Sequence, residues 1–316
     1  MELMILSHLP TRVLEEGILP AAIDMNVGVT ILTDCVQEHV LRRESASVYG
    51  ICKMLDCDVF NPLSVAQLIS VHNLPVSGVI ATTPSLQTSA AILAEYYGLP
   101  GPSWQNSLLC SNKLALRRKL NPADELVKAK IIHREKTQYS EFPTSFPLLL
   151  ESLESGSGTE KKIVRNTDQL ASYLKTLHQA YAMIDEVPNG EQYILEVMGT
   201  PDELILLGGV KTNHINTSDQ YERYPTWIKN PPGSQEILAI LSTLNPGLGR
   251  HHVEYVVTDD EAQILEIHNG LNNDEISLSL NLHLQGDLFR EIIKLSLGVP
   301  ISPLELTETA NEEVTA

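Results

Sequence analysis

The sequence predicts a chain in two styles, a parallel α/β lobe first and mixed α+β structure after it. Three observations predict this. Over the first hundred residues, short apolar runs alternate with segments of helical apolar spacing, the pattern of strand–helix–strand units. The run Gly98-Leu99-Pro100-Gly101-Pro102 breaks that alternation. Beyond it, strand-like runs outnumber helical ones.

In the first lobe, residues 3–6, 27–32 and 78–81 are short apolar runs flanked by polar or turn residues, and read as buried strands. Residues 36–55, 65–71 and 85–97 carry helical spacing. After the break, residues 107–120 form a helical pattern rich in Leu, Ala, Lys and Arg. Strands follow at 127–132, 146–150 and 162–164, with a helix at 167–179. Gly156-Ser157-Gly158-Thr159 lies between two of those strands, as a hairpin loop would. It is no P-loop, because no Lys-Ser or Lys-Thr ends it. Further strands read at 192–197, 204–210, 252–257 and 263–268, and a closing helix at 286–297 stops at Gly298-Val299-Pro300. The acidic tail from Glu305 is expected to fray.

Composition narrows the function classes. The 316 residues are 43% hydrophobic and 20% charged, enough for a large core in two or three lobes. Lys plus Arg number 22 against 40 Asp plus Glu, a net charge of −18. That balance argues against duplex nucleic acid, which needs clustered cations, and against an anionic membrane surface. Cys35, Cys52, Cys57 and Cys110 form no Cys-x-x-Cys pair, so neither a zinc site nor a disulfide scaffold is expected, only reduced and mostly buried thiols. The first residues, Met1-Glu2-Leu3-Met4-Ile5-Leu6-Ser7, lack the basic start of a signal peptide, and no run approaches a membrane span, so the expected location is cytoplasmic.

Four segments in order carry a family resemblance. Gly98-Leu99-Pro100-Gly101-Pro102 is followed by Cys110-Ser111-Asn112-Lys113-Leu114-Ala115-Leu116-Arg117. Phe146-Pro147-Leu148-Leu149-Leu150 is followed by Gly156-Ser157-Gly158. Then come Glu186-Val187-Pro188-Asn189-Gly190-Glu191-Gln192-Tyr193-Ile194-Leu195-Glu196, and the pair Gly249-Arg250-His251-His252-Val253-Glu254-Tyr255 and Gln263-Ile264-Leu265-Glu266-Ile267-His268-Asn269. This order, from about residue 75 to 300, resembles the ATP-grasp ligases. The Glu266-Ile267-His268 order is closest to that of the L-amino acid ligases, a carboxylate–amine ligase group.

The resemblance implies an ATP-grasp fold with an N-terminal parallel α/β lobe at 1–105. A small lobe at 106–185 would carry the phosphate-covering glycine loop, and a large lobe at 186–316 the metal site. It implies ATP held by Lys113, by the loop residues Gly156, Ser157 and Gly158, and by Glu186, Val187, Glu191 and Gln192. It implies Mg²⁺, with Mn²⁺ as the alternative, on Glu254, Glu266 and His268. Lys113, Arg250 and His268 would be catalytic. Small-molecule carboxylate and amine substrates are the implied partners, with a homodimer as one option. The residues themselves agree on the metal. Glu254 and Glu266 lie in apolar runs on neighbouring strands, and carboxylates converging there would require a cation between them; the alternative is two surface carboxylates on amphipathic strands.

Two departures stand out. The strand ending at Leu150 carries a phosphate-contacting Lys in the family, where this chain has Glu151. The family's Arg two residues after His268 is Gly270. Lys161 or Lys162 on one side, and Arg250 or Lys211 on the other, are the cations that can substitute. The reading is thus a ligase that activates a carboxylate as an acyl phosphate, with an amino acid as one substrate, in peptide-like or siderophore metabolism. The alternative is an ATP-grasp-shaped nucleotide-binding or regulatory protein without turnover. A nicotinamide oxidoreductase is disfavoured, because no Gly-x-Gly-x-x-Gly follows the first strand.

Overall fold

The computed structural model describes residues 1–45, 52–120, 130–135, 146–151, 153, 161–176, 180–212, 226–258, 261–272 and 274–307. The first lobe is a four-stranded parallel sheet of β1 (Glu2–Leu6), β2 (Gly28–Thr33), β3 (Lys53–Asp56) and β4 (Gly78–Ala81), in the order β3-β2-β1-β4. A π-helical turn at Val13–Ile18 runs into α1 (Leu19–Asp24). Then come α2 (Val36–Ser45), α3 (Pro62–Val71) and α4 (Gln87–Tyr96). Asn61 caps α3 by accepting from Leu63 N at 3.1 Å, with Pro62 at the first helical position. Gly98, at φ 64°, closes α4 in the left-handed conformation that a side chain disfavours.

The helix expected over 36–55 is corrected. Its described part is Val36–Ser45, residues 46–51 lie outside the described residues, and Lys53–Asp56 is no helix but a strand that pairs parallel with β2. This strand lies at the sheet edge with both end residues exposed, so it lacks the apolar run that marks β1 and β4. The single helix over 107–120 is two, α5 (Trp104–Cys110) and α6 (Lys113–Leu120). Asn112 makes the break: its side chain accepts from Ala115 N at 2.9 Å, the capping bond that starts a new helix.

The second sheet is antiparallel, of β5 (Lys130–His133), β6 (Leu148–Glu151), β7 (Lys162–Val164) and β8 (Tyr181–Glu186), in the order β5-β8-β6-β7. Helix α7 (Thr167–Thr176) packs on it through Leu170, Tyr173 and Leu174. Strand β8 was not expected. Its apolar stretch is only Ala182-Met183-Ile184, yet it is central, between β5 and β6. The expected loop residues Gly156 to Thr159 lie outside the described residues.

The third sheet is also antiparallel: β9 (Glu191–Gly199), β10 (Leu204–Thr212), β11 (Trp227–Ile228), β12 (Gly249–Val257) and β13 (Ala262–Asn269), ordered β11-β10-β9-β12-β13. Helix α8 (Ser234–Leu244) covers one face, packing Ile237 and Leu241 on Leu195, Val253 and Tyr255. The other face meets α9 (Asp274–His283), α10 (Leu288–Ser296) and the first lobe in one continuous apolar cluster that includes Leu3, Ile5, Ile194, Met198, Leu280 and Phe289. Asp287 caps α10 through Phe289 N and Arg290 N. The tail is not wholly frayed: β15 (Glu305–Leu306) pairs with β14 (Leu284–Gln285). Of the cysteines, Cys52 and Cys110 are buried and Cys35 and Cys57 half-buried, all reduced. No helix among the described residues is long and apolar enough to cross a membrane.

Candidate functional site

The third sheet builds a polar patch on an otherwise apolar face. On β12, Arg250, His252 and Glu254 alternate to the same side. Strand pairing sets Glu254 opposite Glu266, His252 opposite His268 and, on β9, Glu196 opposite His252. The intervening Val253 and Tyr255 point the other way, into the core under α8. Alternation and register alone therefore bring three carboxylates and two imidazoles together.

Three cations from other elements meet this patch. Lys113, first residue of α6, is 1% exposed, with Nζ 3.1 Å from Glu266 and 3.4 Å from Glu151. Arg117, one turn along, reaches Glu151 at 3.5 Å and pairs with Asp185 at the end of β8. Lys161, just before β7, places Nζ 2.7 Å from Glu254 and 3.4 Å from Glu266. Four carboxylates, Glu151, Asp185, Glu254 and Glu266, thus face three cations. The network keeps one negative charge in excess.

Burial alone would raise the pKa of Glu266, but His268, Lys113 and Lys161 overcome it and hold the carboxyl well below its usual range. Glu254 is lowered too: burial and Glu266 oppose its charge, and Lys161, His268 and His252 together outweigh them. His268 is lowered by burial, against the pull of Glu266 beside it. An imidazole whose protonation is disfavoured keeps a lone pair to offer a metal. Its Nε2 is 3.1 Å from Glu266, while its Nδ1 is buried with no hydrogen-bond partner. The ligand atoms of Glu254, Glu266 and His268 lie within 4.8 Å of one another. This donor set, with its excess charge and orphaned nitrogen, fits a divalent cation.

Below the patch lies a buried support. Glu196 accepts from Arg250 Nε at 2.7 Å and pairs with His252 Nδ1 at 2.6 Å. Arg250 also donates from Nη1 to Ser277 Oγ at 2.6 Å. Burial opposes the charge of Glu196, yet Arg250 and His252 hold its pKa below the usual value.

No protein-family model matches the chain, and no curated protein matches it in sequence. Solved structures match it in shape. An L-amino acid ligase from Bacillus licheniformis superposes at a TM-score of 0.70 with 14% identity, over 94% of this chain and 74% of that one. A carboxyaminoimidazole ribonucleotide synthase from Aspergillus clavatus, complexed with ATP, gives 0.70 with 17% identity, over 97% and 79%. A phosphoribosylglycinamide synthetase from Anaerococcus prevotii gives 0.63 with 12% identity, over 94% and 75%. The chain has the ATP-grasp fold.

On that fold, Lys113, Glu254, Glu266 and His268 come together as one cluster. Arg250 stands beside the cluster, its charge matched by Glu196. Glu186 ends β8, exposed, with Val187 half-buried after it. Glu191 opens β9, accepts from Tyr193 Oη at 2.7 Å and pairs with Lys211; Gln192 is half-buried next to it. Gly156, Ser157 and Gly158 lie outside the described residues. Gly270 cannot carry the family's arginine. Its φ is 78°, and a Cβ there would sit 2.1 Å from the Gln87 amide nitrogen, which donates to Ala81 O.

Sequence reasoning missed Arg117, Asp185, Glu196 and His252. Arg117 had a signal, four residues after Lys113 on one helix face. Glu196 had one too, a carboxylate within an apolar strand, the argument that singles out Glu254 and Glu266. Asp185 had none, because its strand was not recognised.

Proposed function

We propose that the protein is an ATP-dependent carboxylate–amine ligase. The observation that carries this reading is the cluster itself: a buried and a half-buried carboxylate and a buried imidazole, on paired strands of the ATP-grasp fold, faced by Lys113 and Lys161. Such a set suits a triphosphate with its divalent metal, Mg²⁺ or Mn²⁺. The metal, once bound, screens the phosphate oxygens from an incoming anion. Glu254, Glu266 and His268 would hold it, with His252 and Glu196 orienting them from below.

The reaction joins a carboxylate to an amine in two displacements. A carboxylate oxygen attacks the γ-phosphorus, ADP leaves, and an acyl phosphate forms. The amine nitrogen then attacks the acyl carbon and phosphate leaves, with a proton lost from nitrogen. The obstacle is anion against anion, and Lys113 and Lys161 lower it by placing positive charge where charge accumulates. Adenine and ribose would rest on the segment from Glu186 to Gln192, tied to the cluster by the Arg117–Asp185 pair. An amino acid is the proposed partner on one side, in line with the L-amino acid ligase neighbour. A peptide-like or siderophore product follows from that choice. The proposed setting is the cytoplasm, where ATP is plentiful.

One observation favours a second reading, nucleotide binding without turnover. Glu151 replaces the strand lysine and ties Lys113 and Arg117 into ion pairs. ADP release decides between them. The wild type is incubated with Mg²⁺, ATP and pairs drawn from amino acids, di- and tricarboxylates and simple amines. Release that requires both an acid and an amine, and that falls by orders of magnitude in Glu266→Gln, supports the ligase. Nucleotide binding without release from any pair selects the second reading.

A further inference from the structure

The first lobe holds a second group of ligand-type side chains, which shares no residue with the cluster on the third sheet. Strands β1 and β2 run parallel and side by side, so the loops that leave them emerge together at one edge. His8 stands in the first loop, and Asp34 and Cys35 in the second, just before α2. Thr33, fully buried at the end of β2, ties the two loops together. Its hydroxyl donates to His8 O at 3.0 Å and accepts from Cys35 N at 3.0 Å. Phe60 packs edge-on against the His8 ring, with centroids 5.3 Å apart. Two side chains then converge on one atom. His8 Nδ1 lies 2.8 Å from Asp34 Oδ1 and 3.6 Å from Cys35 Sγ, and the three ligand atoms are all within 4.8 Å of one another. We propose that His8, Asp34 and Cys35 form a binding site for a zinc-class divalent cation, with the fourth position open to water.

The sharing of Nδ1 separates a metal site from a catalytic relay. In a relay of thiol, imidazole and carboxylate, the two partners take opposite ring nitrogens. Here both face the same one, and a single nitrogen carries either a hydrogen or a lone pair. It donates to the carboxylate or accepts from the thiol, not both at once. A cation between them takes the carboxylate, the lone pair and a thiolate together, and the thiol proton goes to solvent. The spacing suits zinc. With Zn–S about 2.3 Å and Zn–N about 2.05 Å at tetrahedral angles, sulfur and nitrogen stand about 3.6 Å apart. The nitrogen–oxygen contact must widen to about 3.4 Å, and Asp34, on a loop and 30% exposed, has room for that. Asp34, Glu38 and Asp56 all act electrostatically on the Cys35 thiol, so the local field draws a cation. A mixed set of nitrogen, oxygen and sulfur favours zinc over magnesium, which takes oxygen. No Cys-x-x-Cys spacing announces the site, because its donors come from two loops and include one thiol.

The test uses Co²⁺, which takes zinc's tetrahedral sites and reports a thiolate ligand as a charge-transfer band in the near ultraviolet. The metal-stripped full chain, in excess Mg²⁺, should develop that band on titration with Co²⁺ and lose it as Zn²⁺ is added. Cys35→Ser should abolish the band, and Cys57→Ser, after β3, should keep it. His8→Ala should weaken Co²⁺ by more than about 100-fold, since even an outer partner of a ligand is worth about 10- to 100-fold. A measurement on the wild type needs no variant: Zn²⁺ should protect Cys35 from iodoacetamide, read by peptide mass spectrometry. The proposal is overturned by a wild type without the band, by a band that survives Cys35→Ser or is lost in Cys57→Ser, by an unchanged titration in His8→Ala, or by alkylation of Cys35 that Zn²⁺ leaves untouched. Glu254, Glu266 and His268 offer no thiolate, so a metal among them gives no such band, and the ligase reading stands or falls separately.

Discussion

Lys113 is shared by two buried carboxylates, so its removal does more than lower a charge near a nucleotide. Lys113→Ala leaves Glu151 and Glu266 facing each other's surroundings without their common cation. Breaking a buried pair in this way costs about 3–5 kcal/mol. Urea denaturation should show that loss, and Glu151→Gln in the same chain should return part of it, a coupling that a double-mutant cycle reads directly. Glu196 sets a second expectation. Burial opposes its charge, but Arg250 and His252 hold its folded-state pKa below the ordinary glutamate value, and those of Glu254 and Glu266 are lowered too. A depressed carboxylate contributes stability above its unfolded pKa and loses it as pH falls through the folded value. Stability should therefore drop steadily below about pH 4.5. Glu196→Gln should flatten that slope, at a cost of about 3–5 kcal/mol near neutral pH, because Arg250 keeps its buried charge with no carboxylate to balance it. Denaturation midpoints across pH test both.

At the scale of elements, the turn after β13 carries the sharpest expectation. Restoring the family residue by Gly270→Arg should not restore anything. The backbone there is left-handed, and the Gln87 side chain fills the space of a Cβ. The variant should lose about 2–4 kcal/mol from strain and overpacking together, seen as a lowered thermal midpoint. Gly270→Arg with Gln87→Ala should recover the overpacking part alone. Elements differ in how plainly the sequence announces them. Strands β1 and β4 are buried along their length and read as apolar runs; β12 and β13 read as apolar segments broken by carboxylates. The edge strand β3 and the short-cored β8 escape, because what makes them strands is the neighbour they pair with. The site follows the same rule. Glu254, Glu266, His268 and Lys113 are legible as motif residues, while the pairing of Glu151 with Lys113 and Arg117 depends on a helix and a strand distant in sequence.

Over the whole molecule, the three larger sheets do not match the apolar clusters one to one. The parallel sheet and the antiparallel sheet of β9 to β13 share one apolar cluster, in which Leu3, Ile5 and Val29 pack with Met198, Leu271 and Ile293, while the other face of the parallel sheet packs Met4, Leu6, Leu32 and Val79 in a cluster of its own. The antiparallel sheet of β5 to β8 keeps its own, built from Leu148, Leu150, Tyr173 and Ile184. Residues 1–105 expressed alone would expose the apolar face that α10 and β9 now cover. That fragment should be aggregation-prone and lack a cooperative thermal transition, which circular dichroism and light scattering would show. Retention of a sharp transition would mean that the first lobe is self-sufficient.

The shared cluster also sets the order in which the molecule comes apart. Backbone amides of β1 and β9 are far apart along the chain but rest on the same packed side chains. In deuterated water they should open together, in the slowest-exchanging unit of the protein. Amides of β6 and β8 should exchange as a separate and earlier unit, held by a smaller cluster. The boundary between these two units runs through the ion pairs of Lys113 and Lys161. Loosening the small sheet therefore uncovers the cluster of carboxylates while the other two sheets remain folded, so the first step of unfolding and the opening of the site are one motion.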